Sequence, residues 1–547
     1  MVSKQLITDT QIGDFVRRYC EFLIYHDADF ARDFVDFVLF YYPFLVDCGA
    51  IEEERVADWL RIHGLEFTKN DQCPFSEQKY HINFVIKTPK IIYIDYLVID
   101  QKGHSPYGRE YIRDAKWRTE LHARNSTNYI VIPSWHWRDC SMFDFLESEL
   151  NKYHITPQRL PDAESYQKLL KDGGHIRNLE GFYCMLQTFL SLHKNGTYSM
   201  SEIVERLHGK DKYSATRNAI FQKIYARIYE AYEQYLFRTR QYDFADMINV
   251  AKCQVEEVDG CARGYEYILL DEVQDLSRNR LLLIRSILRK NPGCKLFAVG
   301  DDWQSIYRFA GSDLTLIKDF EQIFGLATRR SFIESTHRFG QPTTRISCDF
   351  IQRNPAQSHK MVRSSKQTAT PIYVIFNKQT KQKEGQDAES LRIILQSVIA
   401  QIGIEVVKQK SIQVISRYNH DIRRLKSKLF KIAPHRDSAD IFDLIWRSDM
   451  GQELKLEFCS MHKSKGITRD IVIVLNMNSG LNGMPAVRES DPIINALLAK
   501  DEPYSFAEER RLFYVAITRA REATYLIANS KNPSPFIREI FDGQLVV

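Results

Sequence analysis

Seven short apolar runs in the second half of the chain constrain its fold more than any other feature. They are YEYILLD (265–271), CKLFAVG (294–300), PIYVIF (371–376), SIQVISR (411–417), KLEFCS (455–460), DIVIVLN (470–476) and ATYLIAN (523–529), and charged, helix-like stretches separate them. That alternation predicts parallel sheets with helices on both faces. In such sheets ligands bind beyond the carboxyl ends of the strands, so function is expected in the residues that follow each run.

The first half is organised differently. Residues 1–50 carry aromatics and aliphatics at helical spacing as far as Pro43. Residues 51–140 read as a small α/β unit: a helix in EEERVADWLRIHGLEF, strands HINFVIKT and KIIYIDYLVID, a polar helix around Lys116–Arg124 and a strand NYIVIPSW. Residues 141–250 return to helix. A length of 547 residues accommodates several cores, and 44% hydrophobic with 27% charged residues is ordinary for a folded protein. The net charge of +5 neither demands nor excludes a polyanionic partner. Ten cysteines stand as singletons without a C-x-x-C pair, and are read as reduced, buried thiols. The apolar run at 34–46 falls short of the ~20 residues that span a bilayer, so no membrane association and a cytoplasmic location are expected.

Asp271 and Glu272 follow YILL, with Gln274 and Asp275 close behind. A carboxylate at a strand end holds Mg²⁺ through water, and a neighbouring glutamate orients the water that attacks a phosphoryl group. The segment VGDDWQSIYRFAGSD (299–313) places Gln304 after another strand and interleaves Trp303, Tyr307 and Phe309 with Arg308. Rings beside a cation suit base stacking along a single strand; Trp303 and Tyr307, four apart, equally suit a core. STHRFGQP brings Arg338, MHKSKGITRD brings His462, Lys463 and Lys465, and EERRLFYVAITRAR brings Arg510, Arg511 and Arg519. Guanidiniums give planar, bidentate contact to phosphate. Taken singly, each cation also suits a solvated helix face.

In order, DEVQD, VGDDWQSIYRFAGSD, HRFGQ, HKSKG and EERRLFYVAITRA closely resemble the UvrD/Rep-like superfamily 1 DNA helicases, above all the helicase IV branch. The resemblance is strong over residues 240–530 and weaker back through DFADMI to about residue 50. It implies an α/β protein with a helical N-terminal segment (1–50), an insert similar to the PD-(D/E)XK nuclease core (51–140), a helical subdomain (141–250), a partial first RecA-like domain (251–335) and a second, complete one (336–547). It further implies ATP and Mg²⁺ as cofactors and single-stranded DNA as partner. Asp271 would hold the Mg²⁺, Glu272 would activate water and Gln304 would sense the γ-phosphate. Arg338 and Arg519 would contact phosphate. Trp303, Tyr307 and Phe309 would lie on DNA, and His462, Lys463 and Lys465 would couple the nucleotide cleft to the DNA track. DNA repair or defence against foreign DNA is the setting the family suggests.

The sequence departs from that family in three places. A phosphate loop needs G-x-x-x-x-G-K-[S/T], and the only Gly-Lys pair, Gly209-Lys210, is followed by Asp211 and has Val204 at the first glycine position. In the family the loop precedes the insert, so it is expected to lie outside these 547 residues. Forfeiting about 4 to 6 kcal/mol of phosphate contacts weakens nucleotide binding by roughly three to four decades. Either a second protein completes the ATP site in trans, or the chain is a pseudo-helicase that serves as a DNA-binding scaffold. Second, Ile467-Thr468 stands where relatives carry Leu-Glu. Third, in the nuclease-like insert the first acid has become Asn83, leaving Asp95 as second acid, Glu53 on the helix and Lys116 as the candidate cation. An amide brings no charge to Mg²⁺, so the insert is expected to be degenerate.

Overall fold

The computed structural model describes residues 5–541 except 43–49, 88–89, 140, 172, 378–384, 386, 437, 449–450, 488–490 and 501. The chain divides into two compact units, Met1–Val250 with Asp491–Leu497, and Ala251–Ser490 with Leu498–Val547.

In the first unit a short strand β1 (Gln5–Leu6) leads into helices Asp9–His26 and Ala28–Asp36. Thr8 and Gln11 cap the first helix reciprocally, and Asp27 accepts the Phe30 N–H of the second, which fixes the joint between them. Phe34, Phe37, Phe182, Phe189, Phe221 and Tyr225 form one continuous cluster of rings that ties these helices to Gly173–Gly196 and Lys212–Thr239. The insert starts with helix Ala50–Ile62 and builds a sheet from β2 (Phe67–Gln72), β3 (His81–Ile86), β4 (Ile92–Leu97) and β5 (Asn128–Pro133), in that order. The strands are antiparallel except β4 and β5, a parallel pair that needs a crossover and takes it through helix Arg109–Arg124. Past the insert, β6 (Gln241–Tyr242) pairs with β1. Beside it the buried Lys194 ammonium meets Glu233 at 2.8 Å, Asp243 at 2.8 Å and Asp246 at 2.7 Å, binding three helices through one cation.

In the second unit β7 (Tyr267–Leu270) and β8 (Lys295–Ala298) form a two-stranded parallel sheet joined through helix Arg278–Lys290. Leu270 and Leu296 pack from one face of this pair onto Leu281, Leu316 and Phe324. β9 (Ser335–Thr336) and β10 (Arg363–Ser364) make a second short parallel pair. The main sheet contains β11 (Ile372–Asn377), β12 (Ile412–Ser416), β13 (Phe430–His435), β14 (Ser438–Arg447), β15 (Glu453–Ser460), β16 (Arg469–Val474) and β17 (Ala520–Asn529). Its order is β11-β17-β16-β12-β15-β14-β13. The first five strands are parallel and buried on both faces: Ile415, Val472, Val474 and Leu526 belong to one core, and Val414, Ile471, Ile473 and Ile527 to the other. All seven apolar runs carry strands. The antiparallel hairpin β13–β14 extends the edge and was not expected, because Pro434 and its charged neighbours mask the alternation there.

One expectation needs correction. Cys184 and Cys253 are exposed and Cys261 and Cys348 half-buried, so the thiols are not uniformly interior; Cys48 and Cys140 lie outside the described residues. Among the described residues, no helix is long and apolar enough to cross a membrane.

Candidate functional site

The carboxyl ends of β7 and β8 meet in the second unit. Asp271 and Glu272 follow β7 on an exposed turn, where Glu272 takes left-handed backbone (φ 50°) and its N–H donates to Asp271 Oδ1 at 2.9 Å. Both carboxylates therefore face solvent side by side. Gln274 is buried behind them; its side-chain amide donates to Glu272, and its Oε1 accepts the Asp301 N–H at 2.9 Å. That link presses the two strand ends together, and Gly300 permits it. A Cβ there would lie 2.6 Å from Val273 Cγ1 and 2.7 Å from Gln274 Oε1. Asp301 caps the next turn through the Trp303 N–H at 3.1 Å and accepts Gln304 Nε2 at 2.7 Å. The Gln304 amide is thereby turned so that Oε1 accepts from Arg519 Nη2 at 3.4 Å.

Arg519 is 1% exposed. Its Nε donates to Val515 O at 2.8 Å and Nη2 to Thr518 Oγ1 at 3.1 Å. Burial, and then the neighbouring charge of Arg338, pull its pKa down to about 10. Arg338 is itself lowered by burial and donates from Nη1 to Thr518 O at 3.2 Å. Among the described residues neither guanidinium has a carboxylate partner. Two neighbouring dehydrated cations, one of them on a glutamine amide, are an arrangement that gains from an anion. Arg510 and Arg511 are not part of it. Arg510 pairs with Glu539 at 2.7 Å and Arg511 with Glu502, while Arg511 Nε donates to Ser305 O at 2.6 Å.

The residues expected along DNA divide. Trp303 is a correction: it is fully buried, its Nε1 donates to Ser358 O at 3.0 Å, and its ring meets Tyr514 edge-on at 5.4 Å. It is a core ring. Lys465 is a second correction, since its ammonium is turned inward to Asp275 Oδ2 at 2.5 Å, Gln304 O at 2.9 Å and Glu272 Oε2 at 3.9 Å. It joins the β7 turn, the Gln304 turn and its own loop. His462 adds no charge, because burial and then Arg417 pull the imidazole to about 3. Lys463 is exposed. Tyr307 is half-buried and donates its hydroxyl to His462 O at 3.1 Å; Phe309, 50% exposed, meets His462 edge-on at 5.1 Å. Phe309 is the ring of this series most open to a base.

In the insert, Asp95 is 0% exposed. It accepts from the Tyr80 hydroxyl, from the Tyr129 hydroxyl at 2.8 Å and from the Asn83 N–H at 2.9 Å. Its cation is Arg118, at 3.7 Å. Lys116, the expected cation, is exposed on the same helix, two residues out of register. Asn83 Oδ1 accepts the Tyr96 N–H at 2.9 Å, a backbone role that an amide fills without charge. Glu53 is half-buried and its carboxyl is raised by burial, with Lys69 opposing. No group of three or more metal-ligating side chains occurs among the described residues. Tyrosine hydroxyls and a guanidinium occupy the positions a divalent ion needs, so the residues present do not fit one.

Comparison with known proteins adds the following. The sequence model of the UvrD/REP helicase N-terminal domain matches residues 112–325, and that of the UvrD-like helicase C-terminal domain matches residues 446–531. DNA helicase IV of Escherichia coli (strain K12) is 31% identical over 315 residues, 58% of this chain and 41% of that helicase. A probable DNA helicase of Mycoplasma pneumoniae is 25% identical over 329 residues, 58% of this chain and 55% of that protein. The ATP-dependent DNA helicase PcrA of Bacillus subtilis is 25% identical over 166 residues, 30% of this chain and 22% of that protein. The chain thus spans about two fifths to one half of the two longer matches.

Proposed function

This chain belongs to the UvrD/Rep helicase family, and from that premise we propose that it is a DNA-binding helicase subunit holding the acid, sensor and arginine half of an ATP site, with the phosphate loop supplied by a second polypeptide. The observation that carries the reading is Arg519: a guanidinium 1% exposed, without a carboxylate partner among the described residues, aimed at the Gln304 amide. Leaving a buried cation uncompensated is costly, and a phosphate oxygen is the partner its geometry suits.

The chemistry assigned to each residue follows from its surroundings. Asp271, exposed at the strand end, would hold Mg²⁺, which supplies charge neutralisation across the phosphate oxygens. Glu272 beside it orients the attacking water, steadied by the Gln274 amide. Gln304 and Arg519 contact the γ-phosphate, and Arg338 stabilises charge spread over its oxygens. Phe309 stacks on a base of single-stranded DNA, backed by Tyr307 and His462, and Lys463 takes a phosphate. Turnover is expected only in the two-protein complex. DNA repair or defence against foreign DNA is the proposed setting.

The insert is proposed to be a PD-(D/E)XK-like core kept for structure or DNA contact. Its occupied Asp95 favours a second reading for the whole chain, a pseudo-helicase scaffold that has given up chemistry. Phosphate release measured with oligo-dT separates the readings. The chain alone is expected to be inactive, and a mixture with a polypeptide carrying the phosphate loop is expected to turn over ATP and to stop on Glu272→Gln. Turnover by the chain alone refutes completion in trans; an inactive mixture that still binds DNA favours the scaffold.

A further inference from the structure

The Gln304 amide has a cation behind it that belongs to none of the sequence motifs. The Lys360 ammonium, 13% exposed, lies 2.5 Å from Asp301 Oδ1, 3.7 Å from Asp302 Oδ1 and 4.3 Å from the centre of the Trp303 ring. The chain that carries it is fastened to the same turn. The Ser358 N–H donates to Asp302 Oδ2 at 2.7 Å, Ser358 O accepts the Trp303 indole N–H, and the Lys360 N–H donates to Gln352 Oε1 at 3.2 Å.

Asp301 thus turns one oxygen to each side. Its Oδ1 takes Lys360 and the Trp303 N–H, and its Oδ2 takes Gln304 Nε2 at 2.7 Å. An amide has two distinct ends, and this one meets Asp301 with its NH2 and Arg519 with its carbonyl. Reversed, it would set carbonyl against carboxylate and NH2 against guanidinium. The orientation of Gln304 is therefore no firmer than the placing of Asp301. A second effect is one of charge. Asp301 acts on the Arg519 guanidinium, favouring its charged form against the pull of burial. Unopposed, that carboxylate would give Arg519 a partial partner and repel an arriving anion. A cation at 2.5 Å from it cancels most of its field at longer range.

We propose that Lys360 is a positioning residue of the anion site: it fixes and neutralises Asp301, so that Gln304 is held in one orientation and Arg519 stays available to phosphate. Lys360 acts through Asp301 and does not touch the anion. The inference rests on reading Gln304 and Arg519 as phosphate contacts and needs nothing about the rest of the ATP site.

The test is calorimetric titration of the 547-residue chain with inorganic phosphate. Lys360→Met is expected to weaken binding about tenfold, and Lys360→Arg, which keeps the charge, to stay within about threefold of the parent. The decisive readout is coupling: in an Asp301→Asn background the Lys360→Met penalty is expected to shrink to about twofold or less, because the carboxylate it acts through is gone. Circular dichroism checks folding, and Lys360→Gln, which keeps a donor and drops the charge, gives the same comparison if the methionine variant unfolds. A penalty undiminished by Asp301→Asn overturns the inference in favour of direct contact with phosphate. Unchanged phosphate affinity in folded Lys360→Met or Lys360→Gln overturns it in favour of a purely structural ion pair. Arg519→Met tells the two readings apart. Affinity that falls with Arg519→Met and not with Lys360→Met sinks this inference alone, whereas affinity indifferent to Arg519→Met sinks the phosphate-site reading and the inference with it.

Discussion

Arg519→Met separates a guanidinium kept for an anion from one kept for the fold. Methionine has similar length and no charge. A guanidinium held at about 10 by burial and by Arg338 carries a charging cost of about 3 kcal/mol relative to its ordinary state. Against that stand hydrogen bonds to Val515 O, Thr518 Oγ1 and Gln304 Oε1, each contributing about 0.5 to 1.5 kcal/mol net. The 3.4 Å contact to Gln304 belongs at the low end, and the Thr518 hydroxyl keeps its bond to Tyr514 O. The balance predicts that the uncharged variant is more stable by roughly 1 kcal/mol in the absence of anions. Urea unfolding followed through buried Trp303, which lies 5.4 Å from Tyr514, reads this as a higher midpoint at unchanged slope. Inorganic phosphate at ten times its Kd is expected to add about 1.4 kcal/mol to the parent protein and nothing to the variant. A variant destabilised by more than about 1 kcal/mol, with phosphate protecting both proteins alike, would show that the guanidinium is a structural strut.

Phe309→Ala is expected to weaken oligo-dT binding by about 1 to 3 kcal/mol at unchanged stability, whereas Trp303→Ala costs about 3 to 5 kcal/mol of stability; fluorescence anisotropy and urea melts report the two. His462 is neutral when folded and protonates near 6.5 when unfolded, so the unfolded state binds the extra proton between pH 6.5 and 3 and stability falls on acidification by up to about 1.4 kcal/mol per pH unit. His462→Asn is expected to flatten that part of the pH–stability profile. Lys194→Met leaves Asp243 and Asp246 without their shared cation and is expected to destabilise the first unit by about 3 to 5 kcal/mol, read by thermal melting. Mn²⁺ is expected to leave the melting temperature of the insert unchanged, and Tyr80→Phe to lower it, since Asp95 relies on that hydroxyl.

The strands of the main sheet were legible because a parallel strand buried on both faces is a nearly unbroken apolar run, and the residues after the runs at β7 and β8 drew attention to Asp271, Glu272 and Gln304, which the fold brings to adjoining strand ends. What failed were directions of side chains. Interleaved aromatics and cations do not say which way a tight turn points them, and the Asp302–Gln304 turn sends Trp303 inward while leaving Phe309 out. Lys465 looked free because its partner, Asp275, is 190 residues away. Lys116 and Arg118 differ by two positions on one helix, about half a turn, and only the packed structure shows that Arg118 faces Asp95. A cue for Arg118 was present in Asp114, four residues before it, which pairs with it at 2.6 Å on the same side.

The greasy side of the two-strand ribbon bearing Leu269 and Phe297 matters before any DNA is met. Two copies that meet through exposed Leu269 and Phe297 remove apolar surface from water, and an unpaired ribbon edge is a template for a further strand. Self-association is therefore expected to rise with concentration and to fall on Leu269→Glu, which sedimentation reads.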